Sequence, residues 1–193
     1  MPTILCFSGS TRKDSANTKL LRIAARGIEQ GGATPKIISL ADYHLPIYDG
    51  DLEDKSGVPE SAMRLKAAMH ESAGYLIACP EYNSSITPLL KNAIDWASRP
   101  VPNEAPHGPY RGKPAGLIAA SPGNFGGYRG LMQVRWILQN ILIHVHPNMF
   151  TLPAAYSAFD EAGNLKDPKH TDAAMGVGKS VAQLAVAMAA MKR

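Results

Sequence analysis

Short apolar runs alternate with longer amphipathic runs along almost the whole chain. The apolar runs are rich in Ile, Leu and Val, and we predict strands at 3–7, 35–40, 74–79, 114–120 and 145–150. The runs between them repeat apolar residues at helical spacing, and we predict helices at about 17–30, 59–72, 86–98, 126–142 and 171–191. Nearly continuous apolar strands are typical of a sheet that is buried on both faces. This alternation predicts a parallel sheet with helices on both faces.

Right-handed crossovers between parallel strands leave few possible topologies for such a chain. The natural candidate is the strand order 2-1-3-4-5, so we predict an α/β fold of the flavodoxin-like type, a three-layer sandwich around a five-stranded parallel sheet. No linker, repeat or low-complexity segment interrupts the 193 residues, of which 45% are hydrophobic. We therefore predict a single domain over residues 1–193.

Charge and cysteine content narrow the functional classes. The formal net charge of +4 suits anionic ligands, and because the basic residues are scattered, no nucleic-acid partner is expected. Cys6 and Cys79 lie inside strand-like runs, without zinc or disulfide spacing, which predicts buried thiols and no metal site. The first residues lack a signal-peptide pattern, and no apolar run is judged long enough to span a membrane. These features predict a cytoplasmic protein without a membrane partner.

The first loop connects the first strand to the first helix and spans residues 8–18, which read Ser-Gly-Ser-Thr-Arg-Lys-Asp-Ser-Ala-Asn-Thr. Backbone N–H groups at a helix N-terminus bind anions, and the hydroxyl, amide and guanidinium groups add donors that suit a phosphate monoester. The loop matches neither GxGxxG nor Walker A, so a standard dinucleotide or P-loop site is disfavoured. The alternative interpretation is an ordinary connection with capping residues.

Two further loops follow the third and fourth predicted strands. The second loop, 80–88, places an aromatic ring, an amide, a carboxylate and hydroxyls between two prolines, which suits a flat ligand with polar edges. The third loop, 121–128, contains three glycines, which let the backbone approach a planar ligand closely. Strands 1, 3 and 4 are neighbours in the predicted order. The three loops are therefore expected to converge on one crevice.

Taken together, these motifs resemble the NADPH-dependent FMN reductase family, most of all its branch of chromate and quinone reductases and flavin-dependent azoreductases. The matching segments are Gly9-Ser10-Thr11-Arg12 with Ser15 and Asn17, Pro80-Glu81-Tyr82-Asn83, Lys91-Asn92-Ala93-Ile94-Asp95-Trp96, and Ser121 with Gly123, Gly126 and Gly127. The resemblance covers about residues 3–150. It implies a bound FMN, NADPH or NADH as co-substrate, a small-molecule electron acceptor, and a homodimer or homotetramer with the flavin near the subunit interface.

The resemblance also implies which residues bind the cofactor. The FMN phosphate would be bound by Ser10, Arg12, Ser15, Asn17 and Thr18. The ribityl chain and the isoalloxazine edge would be lined by Pro80, Glu81, Tyr82, Asn83 and Ser84. The pyrimidine side of the ring would meet Ser121, Gly123, Gly126 and Gly127. No catalytic side chain is implied, because the flavin carries the chemistry.

The implied reaction passes two electrons from NADPH through FMN to a quinone, an azo or nitro compound, chromate or free flavin, with ping-pong kinetics. Loops 41–58 and 99–113 are expected to form the outer wall of the pocket. Within the first of them, Leu45-Pro46-Ile47-Tyr48-Asp49 resembles a family loop near the flavin or the partner subunit. Arg129 and Arg135 could hold the 2′-phosphate of NADPH or be surface charges.

Three alternatives stay open on the sequence. Cys6 and Arg12 match the Cys-x5-Arg pattern of a low-molecular-weight tyrosine phosphatase, although Lys13 stands where that pattern has Ser or Thr. A non-enzymatic flavodoxin-type carrier is disfavoured by the basic net charge, because such carriers are usually acidic to dock basic partners. A redox sensor that binds FMN and turns over slowly is the third. His144 and His146 lack a nearby third ligand, which favours a structural or surface role.

Overall fold

The structure, a computed structural model, describes residues 1–191. Within them the strands are β1 (Thr3–Ser8), β2 (Thr34–Ile37), β3 (Gly74–Ala78), β4 (Pro114–Ala120), β5 (His144–Val145) and β6 (Phe150–Leu152). The α-helices are α1 (Ala16–Gln30), α2 (Gly50–Ser56), α3 (Glu60–His70), α4 (Pro88–Ser98), α5 (Tyr128–Asn140), α6 (Ala155–Ala158) and α7 (Pro168–Ala190). A short 3-10 helix spans Leu40–Tyr43.

All the strand pairs are parallel, in the order β2-β1-β3-β4-β5, and β6 also pairs with β4. The flavodoxin-like fold and its strand order are therefore confirmed. The predicted fifth strand, 145–150, is present as two pieces. β5 pairs with the beginning of β4 and β6 pairs with its end. Pro147 lies between the two pieces and has no N–H to donate to the ladder, which accounts for the break.

Two other predictions need correction at their boundaries. The second strand is shorter than the predicted 35–40, because the Ser39 hydroxyl accepts a hydrogen bond from the N–H of Ala41 and starts the 3-10 helix. Helix α2 lies within 41–58, a segment predicted as loop, and α6 lies between the predicted strand 145–150 and the predicted helix 171–191, where no element was predicted. The Asp49 carboxylate caps α2 by accepting from the N–H of Asp51, a local signal that the sequence carries.

Helices α1 and α7 cover one face of the sheet, and α3, α4 and α5 cover the other. Helices α1 and α7 touch backbone to backbone, since a Cβ at Gly27 would lie 1.9 Å from the carbonyl oxygen of Met175. By length and composition α7 could cross a membrane, so the expectation about apolar runs was wrong for this segment. Its Val177 and Val181 are nonetheless buried in the core, and it packs against α1 and β4.

The loop 99–113 connects the end of α4 to the beginning of β4, so it lies at the amino edge of the sheet. Lys66, whose side chain is only 2% exposed, holds this loop through the Glu104 carboxylate at 2.7 Å and the Arg99 carbonyl oxygen at 2.6 Å. His70 contacts the other Glu104 oxygen. The expectation that this loop forms a wall of the pocket was wrong, because the predicted site lies at the opposite, carboxyl edge.

Candidate functional site

A cavity of about 260 Å³ lies at the carboxyl edge of the sheet, where the loops after β1, β3 and β4 meet the segment after β6. Its lining includes residues from all three predicted loops, which confirms that they converge. The lining residues are Ser10, Arg12, Asp14, Ser15, Ala16, Asn17, Pro80, Glu81, Tyr82, Ala120, Ser121, Pro122, Ala155 and Tyr156.

The first loop presents donors to this cavity. Ser15 is buried at the N-cap of α1, and its hydroxyl accepts a hydrogen bond from the N–H of Thr18. The N–H groups of Ala16 and Asn17 lie in the first turn, where a helix offers no acceptor of its own, so they are available to an anion. Arg12 is exposed and forms no ion pair with any residue in 1–191. Thr18 lies outside the lining, and its contact with the site is the hydrogen bond from its backbone N–H to the Ser15 hydroxyl.

Asn17 connects the end of the first loop to the last residue of β4, directly before the third loop. Its side-chain amide donates to the carbonyl oxygen of Ala120 at 2.8 Å and accepts from the N–H of Ala120 at 2.9 Å. The side chain is buried, and both hydrogen bonds join α1 to the end of β4. The structure therefore places Asn17 in the cavity wall with its side chain already bonded, leaving its backbone N–H for a ligand.

The second loop is a tight turn. Tyr82 and Ser85 exchange backbone hydrogen bonds of 2.9 and 3.0 Å, and Asn83 and Ser84 between them have φ of 50° and 65°. Two successive positive φ values are typical of a type I′ turn, a conformation that Asn tolerates well. Tyr82 is 49% exposed and lines the cavity, whereas Asn83 and Ser84 form the tip of the turn outside the lining.

Glu81 fixes the second loop onto the beginning of α5. One carboxylate oxygen accepts hydrogen bonds from Nε and Nη2 of Arg129 at 3.0 and 2.8 Å, and the other accepts from the N–H of Gly130 at 3.0 Å. The Glu81 side chain is 7% exposed. Most of its acceptor capacity is thus used within the protein, and the same contacts hold the Arg129 guanidinium beside the second loop.

The third loop contributes Ser121 and Pro122 to the lining, and the predicted glycines lie outside it. Gly126 and Gly127 are buried, with φ of 60° and 93°. A Cβ at Gly126 would come within 2.8 Å of the Leu152 carbonyl carbon, and one at Gly127 within 2.8 Å of the Ala119 Cβ. These two glycines allow the loop to pack against β4 and β6, while Gly123 is exposed.

Sequence reasoning missed Asp14 and Tyr156. Asp14 was visible in the first loop, but nothing local distinguished it from its neighbours. Tyr156 is 73% exposed and lies on α6, just after β6. Its approach depends on the Ser121 carbonyl oxygen accepting a hydrogen bond from the N–H of Ala155 at 3.1 Å, and on Ala154 adopting φ of 48°. No sequence pattern predicts such a contact between segments that are distant in the chain.

The electrostatics of Cys6 argue against the phosphatase alternative. Cys6 is fully buried in β1 among the side chains beneath α1 and α7, and it is absent from the cavity lining. Burial raises the pKa of its thiol to about 12. A nucleophilic cysteine needs a thiolate in a polar, accessible position. Cys6 is therefore a core residue.

The donors at this edge fit a phosphate monoester attached to a flat ring. The helix N-terminus, the Ser10 and Ser15 hydroxyls and the Arg12 guanidinium all lie on one side of the cavity. The Ser8 hydroxyl, buried at the end of β1, has no hydrogen-bond partner within the described residues. Tyr82, Pro122 and Tyr156 supply flat or apolar surface at the rim.

Residues 2–164 match the NADPH-dependent FMN reductase family. The chain belongs to this family. It is similar to an NAD(P)H-dependent FMN reductase of Pseudomonas aeruginosa, with 37% identity over 170 residues, covering 86% of this chain and 85% of that protein. A quinone reductase of Pseudomonas putida is 35% identical over 164 residues, covering 82% of each chain. Among solved structures, a flavoenzyme NAD(P)H:(acceptor) oxidoreductase of Paracoccus denitrificans has a TM-score of 0.77 at 30% identity, with 97% of this chain and 98% of that chain covered.

Membership of the FMN reductase family makes this chain an oxidoreductase that uses FMN and NAD(P)H. The predicted family, enzyme class and cofactors are thereby confirmed.

Proposed function

We propose that the chain reduces a small organic acceptor, a quinone in the first place, with electrons from NAD(P)H that pass through FMN in the cavity at the carboxyl edge of the sheet. The observation that carries this proposal is the convergence of three loops on a cavity whose one side is a helix N-terminus with an unpaired arginine. The quinone reductases among the relatives support the choice of acceptor. Azo and nitro compounds, chromate and free flavin are the other candidates.

The phosphate end of FMN would be held by the first loop. The Ser10 and Ser15 hydroxyls, the Arg12 guanidinium and the N–H groups of Ala16 and Asn17 are its donors. Thr18 keeps Ser15 in place. This arrangement combines a helix dipole with charge-assisted hydrogen bonds, the strongest class available to a phosphate. Asn17 positions the loop by holding Ala120.

The second and third loops would hold the ribityl chain and the ring. The lining residues from the two loops are Pro80, Glu81, Tyr82, Ser121 and Pro122. Glu81 acts by fixing the second loop on α5, Asn83 and Ser84 shape the turn, and Gly123, Gly126 and Gly127 let the third loop pack closely. Backbone N–H groups in the third loop would stabilise negative charge on the pyrimidine side of the ring.

Held by the three loops, FMN would supply a site that takes a hydride from NAD(P)H and passes two electrons to the acceptor. No acid or base from the chain is required for these transfers, and we assign no catalytic side chain. We propose ping-pong kinetics, with the two substrates occupying the same place in turn. The residues of the chain would bind and orient the cofactor and the two substrates. The shape of the rim around Tyr82 and Tyr156 would select the acceptor.

We also propose that residues 1–193 act as one FMN-binding domain and that the protein assembles as a homodimer or homotetramer. A groove between α4 and α5 contains Ile94, Ile137 and Trp136, whose side chain is 69% exposed. We propose this groove as the contact between subunits. Light scattering on the purified protein tests the assembly, and a Trp136→Glu variant that stays assembled would exclude the groove as that contact. A cytoplasmic location stays a prediction.

An absorption spectrum of the purified protein with FMN, before and after anaerobic addition of NADPH, tests the function. We expect a protein-bound flavin band that bleaches within seconds, followed by reoxidation when a quinone is added. A band that bleaches only over many minutes would favour the sensor, and failure to bind micromolar FMN would overturn the proposal. Fast reoxidation by a protein partner but by no small molecule would favour the electron carrier.

A further inference from the structure

A second cavity, of about 330 Å³, lies beside the first along the outer face of α1. The two cavities share Asp14, so they adjoin at the first loop. The floor of the second cavity is α1, and its far wall is the turn at residues 161–164. The FMN site described above uses none of the basic residues in this second cavity.

Three cations line this cavity. Lys19, Arg22 and Arg26 stand three and four residues apart on α1, so they project from one face of the helix. None of them forms an ion pair with a residue in 1–191. Lys19 is partly immobilised, with its Nζ 5.9 Å from the centre of the Phe159 ring. Unpaired cations that converge on a concave surface favour a ligand with concentrated negative charge.

The opposite wall is preformed. Asp160 and Asn164 close the turn, since Asp160 accepts the N–H of Asn164 on its carboxylate at 2.8 Å and donates its own N–H to the Asn164 carbonyl oxygen at 2.9 Å. Phe159 and Leu165 pair beneath it in an antiparallel bridge. The Asp160 carboxylate is thus bonded within the turn, and the charged donors that the cavity offers a ligand are the three cationic side chains.

The cavity also contains two carboxylates, Asp14 and Glu161. These groups accept hydrogen bonds and repel anions, so the best ligand joins a phosphate to a neutral part that carries hydroxyl or amino donors. A ribose phosphate linked to a purine has this character. Inorganic phosphate alone does not.

We propose that this cavity binds the 2′-phosphoadenosine end of NADPH, with Arg22 and Arg26 on the 2′-phosphate. This inference rests on the proposed function, because it assigns a place to the nucleotide whose other end must reach the flavin. In this position Arg22 and Arg26 make the enzyme prefer NADPH over NADH. Arg129, which the sequence also offered for the 2′-phosphate, is bonded to the Glu81 carboxylate.

The test is calorimetric titration of the FMN-loaded protein with adenosine 2′,5′-bisphosphate and, separately, with adenosine 5′-monophosphate. We expect the double variant Arg22→Gln/Arg26→Gln to bind the bisphosphate about tenfold more weakly, as the loss of charge-assisted hydrogen bonds implies. Binding of the monophosphate and of FMN should stay unchanged. Steady-state kcat/KM should fall for NADPH and stay unchanged for NADH.

The matched control is Arg64→Gln/Arg111→Gln, which removes the same charge from exposed positions outside both cavities and should change nothing. Equal losses for both nucleotides, an unchanged bisphosphate affinity, or weaker FMN binding in the cavity variant would each overturn the inference. A wild-type protein that fails to bind FMN would instead break the proposed function. The bisphosphate titration of the same protein would still judge the second cavity, because it needs no turnover.

Discussion

The two edges of the sheet use charged residues in opposite ways. At the amino edge, Lys66 and Glu104 are 2% and 9% exposed and bond to each other. Their ion pair fixes a proline-rich loop and leaves neither charge available to a ligand. At the carboxyl edge, Arg12 and the first turn of α1 keep their donors open to a cavity. A charged residue in a long loop is therefore no sign of a site until its partners are known.

The largest effect should come from breaking the amino-edge contact. Glu104→Gln leaves the Lys66 ammonium buried without a counter-charge, and we expect it to cost about 3 kcal/mol of the free energy of unfolding. Urea titration measures this value. The control Glu71→Gln removes an exposed pair with Lys36 and should cost well under about 1 kcal/mol. Loss of FMN affinity in the Glu104 variant would show that the two edges are coupled.

The same contact predicts a pH dependence. Burial alone would raise the pKa of Glu104, but the hydrogen bonds from Lys66 and His70 lower it below its usual value of 4.5. Because the folded-state pKa is depressed, the stabilisation is complete above pH 4.5 and is lost as the pH falls through the folded-state pKa. The difference in stability between wild type and Glu104→Gln should therefore shrink below this pH in urea titrations. A constant difference would contradict the assignment.

Asn17 combines features of both edges. It is a buried polar residue with its side chain already bonded, and it supports the cavity at the carboxyl edge. Asn17→Ala removes both hydrogen bonds to the Ala120 backbone, and we expect a loss of about 2 kcal/mol because buried groups are left unpaired. FMN affinity, measured by quenching of flavin fluorescence, should fall as well, because the first loop loses its connection to the end of β4, where the third loop begins. Asn124→Ala, at an exposed position of the third loop, is the control. Unchanged stability would show that the connection is dispensable.

A change at Arg12 should affect FMN affinity and leave stability unchanged, the opposite of a change at Glu104. Arg12→Gln removes an exposed side chain without an ion pair, so the free energy of unfolding should stay unchanged, whereas FMN affinity should fall about tenfold, or about 1.4 kcal/mol. High salt should reduce the difference between the two proteins. The neighbouring Lys13→Gln, outside the cavity lining, should bind FMN like wild type. A variant that loses stability but keeps FMN affinity would reverse the comparison.

The smallest effect is expected at Cys6. Cys6→Ser places a hydroxyl in the core, where Cys6 Sγ now donates to the Ile4 carbonyl oxygen at 3.4 Å, and should cost about 1 kcal/mol. NADPH-dependent reduction of a quinone should be retained. Phosphatase activity that disappears with this change would restore the alternative based on Cys6 and Arg12.

Much of the fold could be predicted because each strand and helix carries its own pattern. The strand β4 matches its prediction of 114–120 at both ends, since it is apolar throughout and bounded by Pro114 and the third loop. The break between β5 and β6 was missed because a strand that pairs with two ends of one neighbour has no distinctive periodicity. The position of Pro147 becomes informative only once that pairing is known.

The sequence by itself determined the alternation of the main strands and helices, the family and the three loops at the site, because these depend on local periodicity and on contiguous motifs. Only the tertiary structure decided which side chains remain free. Glu81 and Asn17 carry the right chemistry for a ligand, yet they bond to Arg129 and Ala120 across 48 and 103 residues of chain. Tyr156 reaches the cavity through a comparable long-range contact. Hydrogen bonds between distant segments depend on how elements pack, and packing leaves no local trace in the sequence.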